Sequence, residues 1–147
     1  MEYLFVYGSL MKHQDNEMSS FLEKNAEYLD KGYFHGRLFL VDNYPGAVAG
    51  NPEDGKVFGH IYQLSEPHKV LPVLDDYEEI GEKFPYPNEY RRESMIVYCH
   101  DNTPMTCWVY LYNHPIIDLI QLSSGYFNTK KKNPLSSNLY IFKPILT

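Results

Sequence analysis

The opening stretch Met1-Glu-Tyr-Leu-Phe-Val-Tyr-Gly-Ser-Leu10 decides how the rest of the chain is read. Tyr3 to Tyr7 is an unbroken apolar and aromatic run, rich in strand formers and short enough to be a strand buried on both faces. It stops abruptly at Gly8-Ser9. A glycine at the end of a buried strand lets the backbone turn sharply and leaves no side chain over the turn. The amides of Gly8, Ser9 and Leu10 are then free to face a cavity, as a receptor for a carboxylate or a developing oxyanion. Without that role, the segment is a strand followed by a turn.

Composition sets the frame around this strand. A chain of 147 residues, 44% hydrophobic and 22% charged, has the make-up of one globular domain with a sizeable core. The fourteen tyrosines and eight phenylalanines suit a sheet-rich protein whose tyrosines bury a ring and keep a hydroxyl for polar work. The net charge of -6 argues against nucleic-acid binding, which needs clustered Lys and Arg. Lys130-Lys131-Lys132 is the one basic run and reads as a solvated loop. The chain opens on a strand in place of a charged leader and nowhere reaches the length of a membrane span, so it reads as cytoplasmic, with no membrane partner.

Along the chain, Asp15-Asn16 caps a short helix carrying Met18, Phe21 and Leu22 and ending near Asn25. Tyr28 to Val41 reads as a long strand, bent or bulged at Gly32 and Gly36. The segment from Asp42 to Ala47, Asp-Asn-Tyr-Pro-Gly-Ala, has turn chemistry, and Lys56 to Leu64 a strand pattern. Ser65-Glu66-Pro67 opens a helix with Ser65 as its cap, and Pro72 predicts a kink or two helical pieces. On that helix Val70, Val73, Leu74 and Tyr77 share one arc, with Leu71 and Glu78 at its edge. Asp75, Asp76 and Glu79 project toward solvent.

Glu78 therefore stands apart from its acidic neighbours. A carboxylate on the core-facing side must be paired, hydrogen-bonded or functional, because burying it alone costs several kcal/mol. The plain alternative is a helix-edge glutamate reaching water or pairing with Arg91 or Arg92. Residues 80–89 form a Pro-rich loop. Tyr90 to His100 and Met105 to Tyr112 then read as a hairpin, which places Cys99 and Cys107 as cross-strand neighbours if residue 103 is its midpoint. With no secretory signal and no metal-ligand spacing, two reduced core thiols are the expectation. Ile116 to Leu122 reads as a short helix. The pieces predict an α+β fold, a small mixed β-barrel with a few peripheral helices, formed by residues 1–127 and followed by a tail, 128–147, packed on the domain.

Strand-Tyr7-Gly8-Ser9-Leu10, then Tyr44-Pro45-Gly46-Ala47, then Leu74-Asp75-Asp76-Tyr77-Glu78, in that order, resemble the gamma-glutamylcyclotransferase-like family, which includes gamma-glutamylamine cyclotransferases and plant avirulence-induced proteins. The resemblance implies a small-molecule gamma-glutamyl amide as substrate and no cofactor. The substrate's α-amine attacks its own γ-carbonyl, releasing 5-oxoproline and an amine or amino acid. It implies Glu78 as the general acid/base, shuttling the proton from attacking to leaving nitrogen. The Gly8–Leu10 amides would take the α-carboxylate or oxyanion, and Tyr44, Pro45 and Gly46 would form the cavity lip. Tyr7 and Tyr110 would orient substrate or Glu78, though both also read as core tyrosines. The chain departs from the family in three places. Where a glycine usually follows closely on the glutamate, with a short link to a Tyr-x-Arg strand, Glu79 follows and about ten residues precede Tyr90-Arg91-Arg92. The late Ser-Gly-acidic/aromatic pattern is altered to Ser124-Gly125-Tyr126-Phe127, and the polar tail has no counterpart. These leave a second function open, a binding or sensing protein that captures a small carboxylate or amine without transforming it.

Overall fold

The computed structural model describes residues 1–8 and 16–127. Strand β1 (Glu2–Val6) lies at the heart of the sheet, antiparallel to β4 (Lys56–Leu64) on one side and parallel to β6 (Pro104–Tyr112) on the other. It is buried on both faces, as its composition requires: Phe5 and Tyr7 enter the barrel interior, while Leu4 and Val6 pack under the helices.

The long β2 (Glu27–Val41) pairs with β4 and, at Gly32 and Tyr33, with β5 (Tyr90–Cys99), while β5 pairs with β6. The strand order β2-β4-β1-β6-β5 thus returns to β2 and closes a five-stranded mixed barrel. Closure depends on Gly32, where a Cβ would stand 2.7 Å from the Tyr98 carbonyl oxygen and 2.8 Å from Ile61 Cδ1. The irregularity in β2 is a register shift between Tyr28 and Asp30 and not at Gly32 or Gly36, which pair in continuous register with Gly59 and Ala49. Outside the ring, β3 (Tyr44–Ala49) and the short β7 (Ile120–Gln121) extend β2.

Helix α1 (Glu17–Asn25) begins where the sequence places it, with the Asn16 side chain accepting from the Ser19 amide at 2.9 Å. Helix α2 (Pro67–Tyr77) buries Val70, Leu71, Leu74 and Tyr77 against Leu4, Val6, Tyr62 and Tyr110. At about 1.5–3 kcal/mol for each fully buried large apolar side chain, this face dominates the attachment of the helix to the barrel.

Several local expectations are corrected. Tyr44-Pro45-Gly46 is strand, and the turn is confined to Asp42-Asn43, where Asp42 takes the positive φ. The cap of α2 is Glu66, not Ser65, and Pro72 is accommodated within one continuous helix because it lies on the exposed side. Val73 is exposed, since the buried arc is centred nearer Leu71 and Leu74. Residues 116–122 form turns and β7, not a helix.

The β5–β6 hairpin turns through residues 100–102 with Asn102 in the left-handed region, so Cys107 faces Met95 and Cys99 lies beside the turn. The cysteines are not cross-strand partners, and both are free. Burial pushes the Cys107 thiol up to about 12. The tail 128–147, with Lys130–Lys132, lies outside the described residues.

Candidate active site

The site is built at the barrel end where β1 leaves the sheet, β5 enters it and α2 stops. The stop itself places Glu78. The Glu79 amide bonds to Asp76 O at 3.0 Å and the Ile80 amide to Asp75 O at 2.9 Å, with Glu79 at φ 60. This is the paired-bond termination that normally uses a glycine in the left-handed position. Glu79 therefore adopts the backbone that glycine would take, at a cost of roughly 1–2 kcal/mol for an L-residue. The departure noted in sequence is absorbed locally, and the glutamate before it stays in place.

Glu78 is only 7% exposed, the one acidic residue in the buried class among the described residues. Its charge acts on three buried phenols, Tyr7, Tyr90 and Tyr110, from β1's end, β5 and β6. Burial is the main cause that lifts all three hydroxyls far above the ordinary phenol range, and the negative charge of Glu78 adds to it. They are consequently neutral hydroxyls in the neighbourhood of the Glu78 side chain.

Each hydroxyl also has a defined partner in the framework. Tyr7 donates to the Tyr110 carbonyl and accepts from the Ala47 amide at 3.1 Å. Tyr90 donates to the Pro45 carbonyl at 2.5 Å. Tyr110 donates to Asp75 Oδ1 at 2.8 Å. Asp75 is thus not directed into solvent but held between Tyr110 and Arg92, and Arg92 pairs with it and not with Glu78.

The middle motif faces this cluster from β3. Gly8 lies against Pro45, since a Cβ on Gly8 would come 2.9 Å from Pro45 Cγ. Gly46 must be glycine, because a Cβ there would stand 2.9 Å from both the Tyr112 ring and Val41 Cγ2. Tyr44 is half-buried and donates to Glu89 Oε2 at 2.5 Å. The structure therefore gathers Tyr7, Gly8, Tyr44, Pro45, Gly46, Glu78 and Tyr110 at one barrel end. Ser9 and Leu10 lie outside the described residues.

Tyr90, which closes this group from β5, is the residue that sequence reading passed over as a site member. Its signal was its position as the first residue of the strand after the inserted loop. That loop is pinned by Asn88, whose side chain accepts from the Gly81 amide at 3.0 Å and donates to the Gly81 and Pro85 carbonyls. Among the described residues no group of three or more His, Cys, Asp or Glu side chains is placed to hold a metal ion, and no helix is long and apolar enough to cross a membrane.

The family model described as "Gamma-glutamyl cyclotransferase, AIG2-like" matches residues 4–129, a span that includes all three motifs. The chain belongs to this family. A relative, the gamma-glutamylcyclotransferase family protein YtfP of Escherichia coli K12, is 33% identical over 124 residues, covering 83% of this chain and 92% of that protein. Among solved structures, the AIG2-like protein from Mus musculus superposes with a TM-score of 0.72 at 22% identity, over 98% of this chain and 96% of that one. The solution structure of E. coli ytfP gives a TM-score of 0.57 at 27% identity, over 85% and 95% of the two chains. The closed mixed barrel with its two helices is the family's fold, and the protein is a gamma-glutamylcyclotransferase-like enzyme.

Proposed function

We propose that this family member converts a small gamma-glutamyl amide, a gamma-glutamylamine or gamma-glutamyl amino acid, into 5-oxoproline and the free amine, with Glu78 as general acid/base. The carrying observation is the buried Glu78 carboxylate, ringed by three neutral phenols beside the Gly8 turn.

Nucleophile and electrophile belong to one molecule, so the protein's first contribution is to hold the substrate folded, which supplies proximity worth several kcal/mol. The α-amine nitrogen bonds to the γ-carbon, the bond from that carbon to the amide nitrogen breaks, and one proton passes from the first nitrogen to the second. Glu78 takes the proton and returns it, ending the cycle in its starting state. The Gly8 amide, just past the end of β1, would serve as a donor for the oxyanion or the α-carboxylate. Tyr7 and Tyr90 fix the walls on either side through their bonds to Tyr110, Ala47 and Pro45.

The test is release of 5-oxoproline from a panel of gamma-glutamyl amines, gamma-glutamyl dipeptides and glutathione by wild type, Glu78→Gln and Glu79→Gln. Turnover is expected to fall about 10²–10⁴-fold in Glu78→Gln and to persist in Glu79→Gln. An unchanged rate in a folded Glu78→Gln removes Glu78 from the mechanism. Saturable binding with no product from any amide replaces the reaction with a sensing role.

A further inference from the structure

Asp75 lies on the last turn of α2, three residues before Glu78, and both its carboxylate oxygens are taken by one guanidinium. Arg92 donates through Nε to Oδ1 at 2.8 Å and through Nη2 to Oδ2 at 3.1 Å. Tyr110 donates to the same Oδ1 at 2.8 Å. The two charged side chains keep only 24% and 23% of their exposure, so the pair is shielded from much of the screening that weakens surface pairs. The guanidinium carbon also sits 4.4 Å from the ring centroid of Trp108, which fixes the guanidinium's position from a further side. A two-pronged bond of this kind restrains orientation as well as distance.

The connection continues beyond Asp75. The backbone carbonyl of Tyr110 accepts from the Tyr7 hydroxyl, which accepts in turn from the Ala47 amide. One run of hydrogen bonds therefore ties α2 and β5 to β6, the end of β1, and β3, the same elements that form the barrel mouth. The helix stop itself rests on a non-glycine residue, Glu79 at φ 60, so the backbone at this turn carries a strain that a glycine would not.

We propose that the Asp75–Arg92 pair is a positioning device that fixes the last turn of α2 and so aims the Glu78 carboxylate into the barrel mouth. Asp75 and Arg92 act through Glu78 and are positioning residues. The inference rests on Glu78 being the acid/base. Its physical basis is that proton transfer within a folded substrate tolerates little error, since a displacement of about 1 Å can cost about 10²-fold in rate.

The test compares wild type with Arg92→Met, Arg92→Lys, Asp75→Asn and the Asp75→Asn/Arg92→Met double variant. The readouts are kcat, KM and Tm, emission from Trp108, the chain's single tryptophan, and crystal structures of wild type and Arg92→Met. In Arg92→Met, kcat is expected to fall about 10–100-fold with KM changed less than about twofold. Arg92→Lys should recover part of the loss, and the double variant should be no worse than its worse parent, because the pair works as a unit. The Arg92→Met structure should show Glu78 moved relative to Tyr7 and Tyr90.

A lowered Tm with kcat per folded molecule unchanged and Glu78 in place overturns the proposal and leaves the pair a stabilising contact. If wild type itself makes no 5-oxoproline, the functional reading fails, and the crystal structures still decide positioning: Glu78 displaced upholds it and Glu78 unmoved refutes it. Should Arg92→Met not fold, as lost cooperative melting would show, the volume-conserving Asp75→Asn carries the same measurements.

Discussion

Tyrosines serve two regions of this barrel in different ways. At the mouth, Tyr7, Tyr90 and Tyr110 are buried, and each hydroxyl is committed to a named carbonyl, amide or carboxylate. On the outer face of β2, β4 and β5, Tyr33 and Tyr98 stack at 5.3 Å, Phe58 and Tyr126 stack at 4.3 Å, and the Lys56 ammonium lies 4.5 Å over the Tyr33 ring. Burial accounts for the difference. A hydroxyl out of water must find a partner or cost about 1–3 kcal/mol, so it becomes a geometric constraint. A half-exposed hydroxyl can use water or a surface side chain, as Tyr33 donates to Asn102 Oδ1 at 2.8 Å, and the ring face is left to do the packing.

Substitutions in the two regions should therefore differ in kind and in size. The largest effect is the loss of turnover in Glu78→Gln, at the centre of the mouth. Next is Tyr7→Phe, which keeps the ring but leaves the Tyr110 carbonyl and Ala47 amide without their partner. A loss of about 1–3 kcal/mol is expected in denaturant unfolding, together with slower turnover.

At the edge of the same site, Glu79→Gly relieves the left-handed backbone. After the entropy cost of glycine it should gain roughly 0.5–1 kcal/mol, seen as a higher Tm with turnover retained. On the outer face, Tyr98→Ala removes one stacked ring and should cost about 0.5–1 kcal/mol with unchanged kcat. A Tyr98→Ala that slowed catalysis as much as Tyr7→Phe would erase the distinction between the two regions.

Much of this arrangement was legible in the sequence where a local pattern carries it. An apolar run as short as Tyr3–Tyr7 has few alternatives to a buried strand, and it is β1. The helical wheel separated Glu78 from Asp76, and burial follows that separation. It misplaced Val73 and Asp75 because both sit at the margins of the arc, where the rotation of the helix against the sheet decides which margin is covered.

Other misses share that origin. The hairpin was centred two residues too late because a left-handed Asn102 closes a three-residue turn, and its register moved Cys99 away from Cys107. The Tyr44-Pro45-Gly46 segment has turn residues yet pairs with Val41, Leu40 and Phe39 as strand, since the turn chemistry of Asp42 and Asn43 suffices for the reversal.

The sequence by itself determined the strand at the centre, written in residue type over a few neighbouring positions. Its three ordered motifs carried the resemblance that singled out the barrel and Glu78, which the helical wheel alone left open between core and water. Only the tertiary structure decided that Arg92 holds Asp75 across 17 residues, that Tyr7 reaches Tyr110 across 103 and that Tyr90 closes the mouth. Those bonds depend on barrel closure. Closure fixes which side chains meet through strand register, and register is a property of pairs of segments, which no single segment specifies.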